Sequence, residues 1–181
     1  MNLLILDRDG VINYDSTDFI KTPDEWIAIP GSLEAIAKMT MAGFTIVVCT
    51  NQSGLSRGLF SQKDLTNIHN KMIKEVEAHG GKLSGIFYCP HIASDNCNCR
   101  KPKTQMILDI CQKFNLANAH NIMMVGDSMR DLLTIKNCGG IPVLVKTGNG
   151  IKTLNDDTIP LGTLIFDDLL NFSNYIINYN K

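Results

Sequence analysis

Short apolar runs and segments of helical period alternate along this chain. Leu3-Leu4-Ile5-Leu6, Thr45-Ile46-Val47-Val48-Cys49, Ile86-Phe87-Tyr88, Ile122-Met123-Met124-Val125, Val143-Leu144-Val145 and Leu164-Ile165-Phe166 are brief and bounded by polar or turn-forming positions. Each predicts a β-strand. Between the first two, Leu33, Ile36 and Ala37 share one helical face after Pro30-Gly31-Ser32, and Gly43 supplies a stop. Ser61-Gln62-Lys63-Asp64 has the spacing of a capping box, and Leu65, Ile68, Met72 and Val76 follow at helical intervals toward Gly80-Gly81. Ile107, Ile110, Cys111 and Phe114 form a third stripe, and Leu132, Leu133 and Ile135 a fourth before Gly139-Gly140. Such alternation predicts a three-layer α/β fold with a mostly parallel central sheet. Residues 146–163 are polar, with Gly148, Gly150, Pro160 and Gly162, and read as a surface excursion. Residues 171–181 mix Asn with Phe172, Tyr175, Ile176 and Ile177 and read as a docked helix with a frayed tip.

Composition narrows the picture. The chain has 181 residues, 44% of them apolar, enough for one core, so a single domain over 1–181 is expected. A net charge of -1 provides no basic field, which argues against nucleic acid and anionic membrane as partners. The first apolar run is far too short for a signal segment or a membrane span, so a cytoplasmic location is expected. There the six cysteines are not expected to form disulfides; Cys89, Cys97 and Cys99 crowd beside His91.

In open parallel sheets, ligands bind beyond the carboxyl ends of the strands. Three strand ends carry chemistry here: Asp7-Arg8-Asp9-Gly10, Thr50-Asn51-Gln52-Ser53-Gly54, and Gly126-Asp127-Ser128-Met129-Arg130-Asp131. Asp7 and Asp127 are hard oxygen donors suited to Mg²⁺, which shares its sites with phosphate oxygens. Under that charge Asp7 can attack phosphorus, and Asp9, two residues on, can serve as acid and then base. Thr50 and Lys101 offer donors to the transferred phosphoryl group, while the planar fork of Arg100 suits substrate recognition.

Each signal has a plainer reading. Asp-x-Asp alone marks a strand turn, Lys101 alone a surface lysine; their joint occurrence at successive strand ends reverses that balance. Asp131 has two equal readings, loop anchor or metal contact. Arg57 either meets the substrate or faces water. Cys89, His91, Cys97 and Cys99 supply the four ligands of a closed structural zinc site, against a loop of free thiols. Cys111 and Cys138 read as core residues, Cys49 as strand core because no arginine follows it at thiol-phosphatase spacing, and His69, His79 and His120 as surface histidines.

Asp7-Arg8-Asp9-Gly10-Val11-Ile12-Asn13, Thr50-Asn51-Gln52-Ser53-Gly54, Tyr88-Cys89-Pro90-His91, Cys97-Asn98-Cys99-Arg100-Lys101-Pro102 and Val125-Gly126-Asp127 together resemble motifs of the haloacid dehalogenase superfamily. The match is to its heptose-bisphosphate phosphatase and histidinol-phosphatase group, over about residues 2–148. The resemblance implies a Rossmann-like fold without a large cap domain and with a short zinc-binding loop at about 89–99. It implies Asp7 as nucleophile, Asp9 as acid/base, and Mg²⁺ on Asp7, Asp127 and the Asp9 main-chain carbonyl. Thr50 and Lys101 would steady the phosphoryl group, Arg100 recognise substrate, and Cys89, His91, Cys97 and Cys99 bind Zn²⁺. The segment with Asp15 and Asp18, and Asn51, Gln52 and Ser53, would line the substrate pocket.

The expected substrate is a small phosphorylated metabolite, a sugar bisphosphate losing its C7 phosphate in lipopolysaccharide supply, with a monomeric enzyme. Histidinol phosphate is the alternative substrate. A phospho-accepting signalling domain and a zinc-stabilised binding module are the alternatives from other classes.

Overall fold

A computed structural model describes residues 2–179; Met1, Asn180 and Lys181 lie outside the described residues, and with them the frayed tip expected at the end. The strands are β1 (Leu3–Leu6), β2 (Thr45–Asn51), β3 (Gly85–Cys89), β4 (Met123–Gly126), β5 (Ile141–Val145) and β6 (Leu164–Phe166). The helices are α1 (Ser32–Met41), α2 (Gln62–Ala78), α3 (Gln105–Lys113), α4 (Met129–Asn137), α5 (Gly150–Leu154) and α6 (Leu169–Tyr179). All strands pair in parallel in the order β3-β2-β1-β4-β5-β6. No helix among the described residues is long and apolar enough to cross a membrane.

Helices cover both faces of the sheet, which is why β1 reads as a continuous apolar run rather than an alternating one. Leu4 and Leu6 join Ile46, Val48 and Val125 against Ile36 and Met39 of α1, Ile68 and Met72 of α2, and Phe172 and Ile176 of α6. Leu3 and Ile5 join Val47, Cys49 and Met124 against Met106, Ile107 and Ile110 of α3 and Ile135 of α4. The Ser61 cap forms as its spacing predicts: its hydroxyl accepts from the Asp64 N–H, and the Asp64 carboxylate accepts from the Ser61 N–H.

Register places the chemistry. Leu6 pairs with both Val48 and Val125, so Asp7 leaves the sheet level with Cys49 and Gly126, and its N–H bonds Val125 O at 2.9 Å. The chain then makes an excursion before α1, stitched by Tyr14 N–H to Ile27 O (3.0 Å) and Ile29 N–H to Ile12 O (2.9 Å). Trp26, fully buried, nails this excursion to the first core with Val11, Ile12 and Ile20. Lys71 of α2 donates to the carbonyls of Pro23 and Trp26, both at 2.8 Å, with its ammonium 5.9 Å from the indole centre.

Two expectations need correction. Residues 146–163 are not simply a surface excursion: they contain α5, and Thr147 and Asn149 pack against the strand ends. His69 is not a surface residue; it is buried beneath the β1 turn, because α2 crosses there.

Trp26→Ala removes the anchor of this excursion and should lower unfolding free energy by about 3–5 kcal/mol, read from urea denaturation followed by circular dichroism. Trp26→Phe should cost much less, since among the described residues the indole N–H has no hydrogen-bond partner to lose.

Candidate active site

At the carboxyl ends of the strands, one ammonium gathers the site. Lys101 Nζ lies 2.9 Å from Asp7 Oδ1 and 2.6 Å from Asp131 Oδ1, and donates to Cys49 O at 2.8 Å. Lys101 and Asp131 are sealed from solvent and Asp7 nearly so. Burial alone would lower the lysine's pKa, but Asp131 and Asp7 outweigh it and hold the group above its ordinary value. Asp7 is pushed up to about 8, first by burial and then by Asp131, with Lys101 pulling the other way.

Asp131 anchors its loop. As third residue of α4 it accepts from the Ser128 N–H (3.1 Å) and hydroxyl (2.5 Å), a reciprocal cap, while its other oxygen holds Lys101. Arg130 Nε donates to Ser128 Oγ at 3.1 Å.

Asp127 faces Asp7. One oxygen from each of Asp7, Asp127 and Asp131 lies within 4.8 Å of the others. Burial and then Asp131 push Asp127 up to about 6, so this carboxylate group is short of positive charge. Asp127 Oδ2 accepts from the Asn149 N–H (2.7 Å) and side-chain amide (3.1 Å), and its main-chain carbonyl from Thr153 Oγ1 (2.8 Å). Its other oxygen has no protein donor among the described residues. A hard divalent cation fits this oxygen-donor set, with Lys101 already neutralising Asp131. Close approach is enforced by Gly10 (φ +82) and Gly148 (φ +55): a Cβ on either would strike the Asp127 carboxylate.

Asp9 is held by four donors. Arg8 Nε (3.0 Å), Arg8 Nη2 (2.8 Å) and Asn13 Nδ2 (2.9 Å) reach Oδ1, and Gln52 Nε2 reaches Oδ2 at 2.9 Å. Burial alone would raise this carboxyl, but Arg8 and these amides hold it below its ordinary value. Arg8 is itself buried, its third nitrogen 3.4 Å from His69 Nε2. Burial and then Arg8 drive His69 down to about 4, so the imidazole is neutral there.

The β2 end supplies the opposite wall. Thr50 is buried, and Gln52 Nε2 also donates to its hydroxyl at 3.0 Å. Asn51 pairs with the Lys101 backbone in both directions, at 3.3 and 3.1 Å. A cavity of about 180 Å³ is lined by Asp7, Asp9, Thr50, Asn51, Gln52, Ser53, Arg100 and Lys101, and also by Arg8, Asp15, Ser16, Phe19, Ile20 and Arg130. Asp18 and Arg57 are not on this wall. Asp18 is exposed in an adjoining hollow, and Arg57 is exposed with its guanidinium carbon 6.0 Å from the Phe19 ring centre.

Behind the cavity, Cys89 Sγ lies 3.6 Å from His91 Nδ1, 3.6 Å from Cys97 Sγ and 3.1 Å from Cys99 Sγ, and His91 Nδ1 lies 3.3 Å from Cys99 Sγ. Tetrahedral zinc, with bonds of about 2.3 Å to sulfur and about 2.0 Å to imidazole, has ligand separations of about 3.5 to 3.8 Å. The four side chains thus fit a zinc ion with a slight opening. Arg100 follows the last ligand directly and donates to His91 O at 3.0 Å. Cys49 is strand core, its thiol pushed up to about 12 by burial, which excludes it as a nucleophile near neutral pH.

Sequence reasoning passed over Arg8, Asn13, Asn149 and Arg130. Arg8, between two singled-out aspartates, carried a signal: an arginine leaving a buried strand needs a carboxylate. Asn149 carried none, since its partners lie far away in the chain.

Residues 2–139 match the family model for haloacid dehalogenase-like hydrolase. The chain is 52% identical to the D-glycero-beta-D-manno-heptose-1,7-bisphosphate 7-phosphatase of Neisseria meningitidis serogroup A, covering 99% of this chain and 97% of that one. It is 51% identical to the Bordetella bronchiseptica protein of the same name, covering 93% of this chain and 94% of that one. Among solved structures it superposes with a TM-score of 0.96, at 48% identity and 99% coverage of both chains, on the B. bronchiseptica D,D-heptose 1,7-bisphosphate phosphatase complexed with magnesium and phosphate. The corresponding Burkholderia thailandensis phosphatase gives a TM-score of 0.78 at 40% identity, covering 98% of this chain and 99% of that one. With its family model spanning most of the sequence and its carboxylates, threonine and lysine drawn to one end of a parallel sheet, the chain belongs to the haloacid dehalogenase-like hydrolases.

Proposed function

We propose that this chain is a magnesium-dependent phosphatase that removes the 7-phosphate of D-glycero-D-manno-heptose 1,7-bisphosphate, acting as a single-domain cytoplasmic monomer in the supply of heptose for surface glycans. The observation that carries the reading is the convergence of Asp7, Asp9, Thr50 and Lys101 on one small polar cavity, with a carboxylate oxygen of Asp127 within 4.8 Å of one of Asp7. The names of the relatives support the substrate.

In the first half-reaction the Asp7 carboxylate attacks phosphorus as the bond to the sugar oxygen breaks, and Asp9, acting in its protonated form, delivers that proton to the leaving oxygen. Lys101 and the Thr50 hydroxyl bind the phosphoryl oxygens and orient the group in line with Asp7. In the second, Asp9 takes a proton from the water that attacks the aspartyl phosphate, releasing inorganic phosphate and restoring Asp7. Asp9 Oδ1 already accepts three hydrogen bonds, so the travelling proton belongs to Oδ2, beside Gln52 and Thr50. Magnesium, when held by Asp7, Asp127 and the Asp9 carbonyl, supplies the positive charge that lets a carboxylate approach an anionic phosphate. Zinc on Cys89, His91, Cys97 and Cys99 would be structural, fixing the loop that delivers Arg100 and Lys101.

Asp7→Asn should reduce phosphate release to background, and Asp9→Asn should lower kcat about 10²- to 10⁴-fold, both measured on the heptose bisphosphate with folding checked by circular dichroism. Full activity in Asp7→Asn would sink the covalent reading. Faster hydrolysis of histidinol phosphate than of the sugar by the wild type would move the substrate assignment instead. Stripping zinc with a strong chelator and then restoring magnesium alone should leave a lowered melting temperature and slow turnover; an unchanged melting curve would remove zinc from the structure.

A further inference from the structure

The turn at residues 15–19 is exposed to half-buried, yet it lines the cavity with Asp15, Ser16 and Phe19. Asp15 folds it: Oδ1 accepts from the Ser16 N–H at 2.8 Å, Ser16 Oγ accepts from the Asp18 N–H at 3.1 Å, and Ser16 O accepts from the Phe19 N–H at 3.2 Å. Phe19 completes the turn in the left-handed region (φ +64), a conformation that a bulky residue keeps only where its surroundings enforce it. The other oxygen, Asp15 Oδ2, accepts from Asn149 Nδ2 at 3.2 Å, 134 positions along the chain.

The same amide nitrogen serves Asp127. Asn149 Nδ2 lies 3.1 Å from Asp127 Oδ2, so its two hydrogens are divided between a carboxylate on the cavity wall and a carboxylate of the oxygen-donor cluster. The segment that carries Asn149 is itself held on several sides. Its N–H also donates to Asp127 Oδ2 (2.7 Å), Thr147 Oγ1 ties the segment to Gly10 O (2.6 Å), and Thr153 Oγ1 ties it to Asp127 O (2.8 Å). Gly10 and Gly148 wall in the same oxygen of Asp127, so the opposite one is left for a cation, and Asn149 fixes which. Burial and then Asp131 push Asp127 up, the Asn149 donors pull it down and Asp15 adds like charge, so the amide stands between two groups that would otherwise repel.

We propose that Asn149 is a positioning residue that links the cation-binding carboxylate Asp127 to the cavity-lining turn at Asp15, so that magnesium binding orders residues 15–19 and the ordered turn in return tightens magnesium. The inference rests on the reading of the chain as a magnesium-dependent enzyme. Linkage makes the effect reciprocal: whatever factor the cation contributes to order in the turn, the turn contributes to cation affinity.

The test is a double-mutant cycle on Asn149 and Asp15, read by calorimetric titration of the full chain with magnesium alone, without substrate, at about 0.15 M salt, where the exposed Asp15 charge is screened. Asn149→Ala should weaken magnesium binding about 10- to 100-fold, the range for groups that orient a metal ligand. Asp15→Ala should weaken it about 2- to 10-fold, as the loss of one hydrogen bond predicts. In the Asn149→Ala background, Asp15→Ala should add nothing. Hydrogen exchange followed by mass spectrometry gives the reciprocal readout: magnesium should slow exchange in peptides covering residues 15–19 of the wild type and leave it unchanged in Asn149→Ala. Additive losses in the cycle, unchanged affinity in Asn149→Ala, or equal protection of the turn with and without the amide would each overturn the proposal. Wild-type protein that binds no magnesium would overturn the magnesium reading and the inference together.

Discussion

One buried ammonium organises this molecule's chemistry. Lys101 arrives from the loop after β3, Asp7 ends β1, Asp131 opens α4 after β4, and the Cys49 carbonyl belongs to β2. Taking such charges out of water costs several kcal/mol per ion, and their mutual attraction returns little net stability. The triad is better understood as a device for position: it sets Asp7, the Lys101 ammonium and the first turn of α4 in one rigid relation. Removing any one partner would leave a buried charge unanswered.

Around that triad the carboxylates divide into two environments. Asp9 is surrounded by donors that favour its ionised form, whereas burial and neighbouring carboxylates push Asp7 and Asp127 up, in Asp7 against the pull of Lys101. The same residue type thus meets opposite electrostatic environments within one site. Arg8 makes the difference: it separates the two aspartates in sequence and turns its whole guanidinium edge toward only one of them.

Much of the architecture was legible because parallel strands covered on both faces announce themselves as uninterrupted apolar runs, and all six such runs became strands. The capping box at Ser61 and the stripes of α1, α3 and α4 were equally plain. What the pattern concealed were contacts that depend on strand order. Thr147 reaches Gly10, and Asn149 reaches both Asp127 and Asp15, only because the sheet sets β1, β4 and β5 side by side. A polar segment that looks like a loop in isolation becomes a wall of the site once the sheet is assembled. His69 was hidden in the same way, its partners Arg8 and Tyr88 lying on other elements.

The excursion pinned by Trp26 carries a wider implication. It brings Asp15, Ser16, Phe19 and Ile20 to the cavity, whereas Thr50, Arg100 and Lys101 reach it from other segments. This side of the cavity wall is therefore tethered independently of the buried Lys101 triad. Edits at its exposed positions can reshape that side of the cavity and leave the buried ion triad undisturbed.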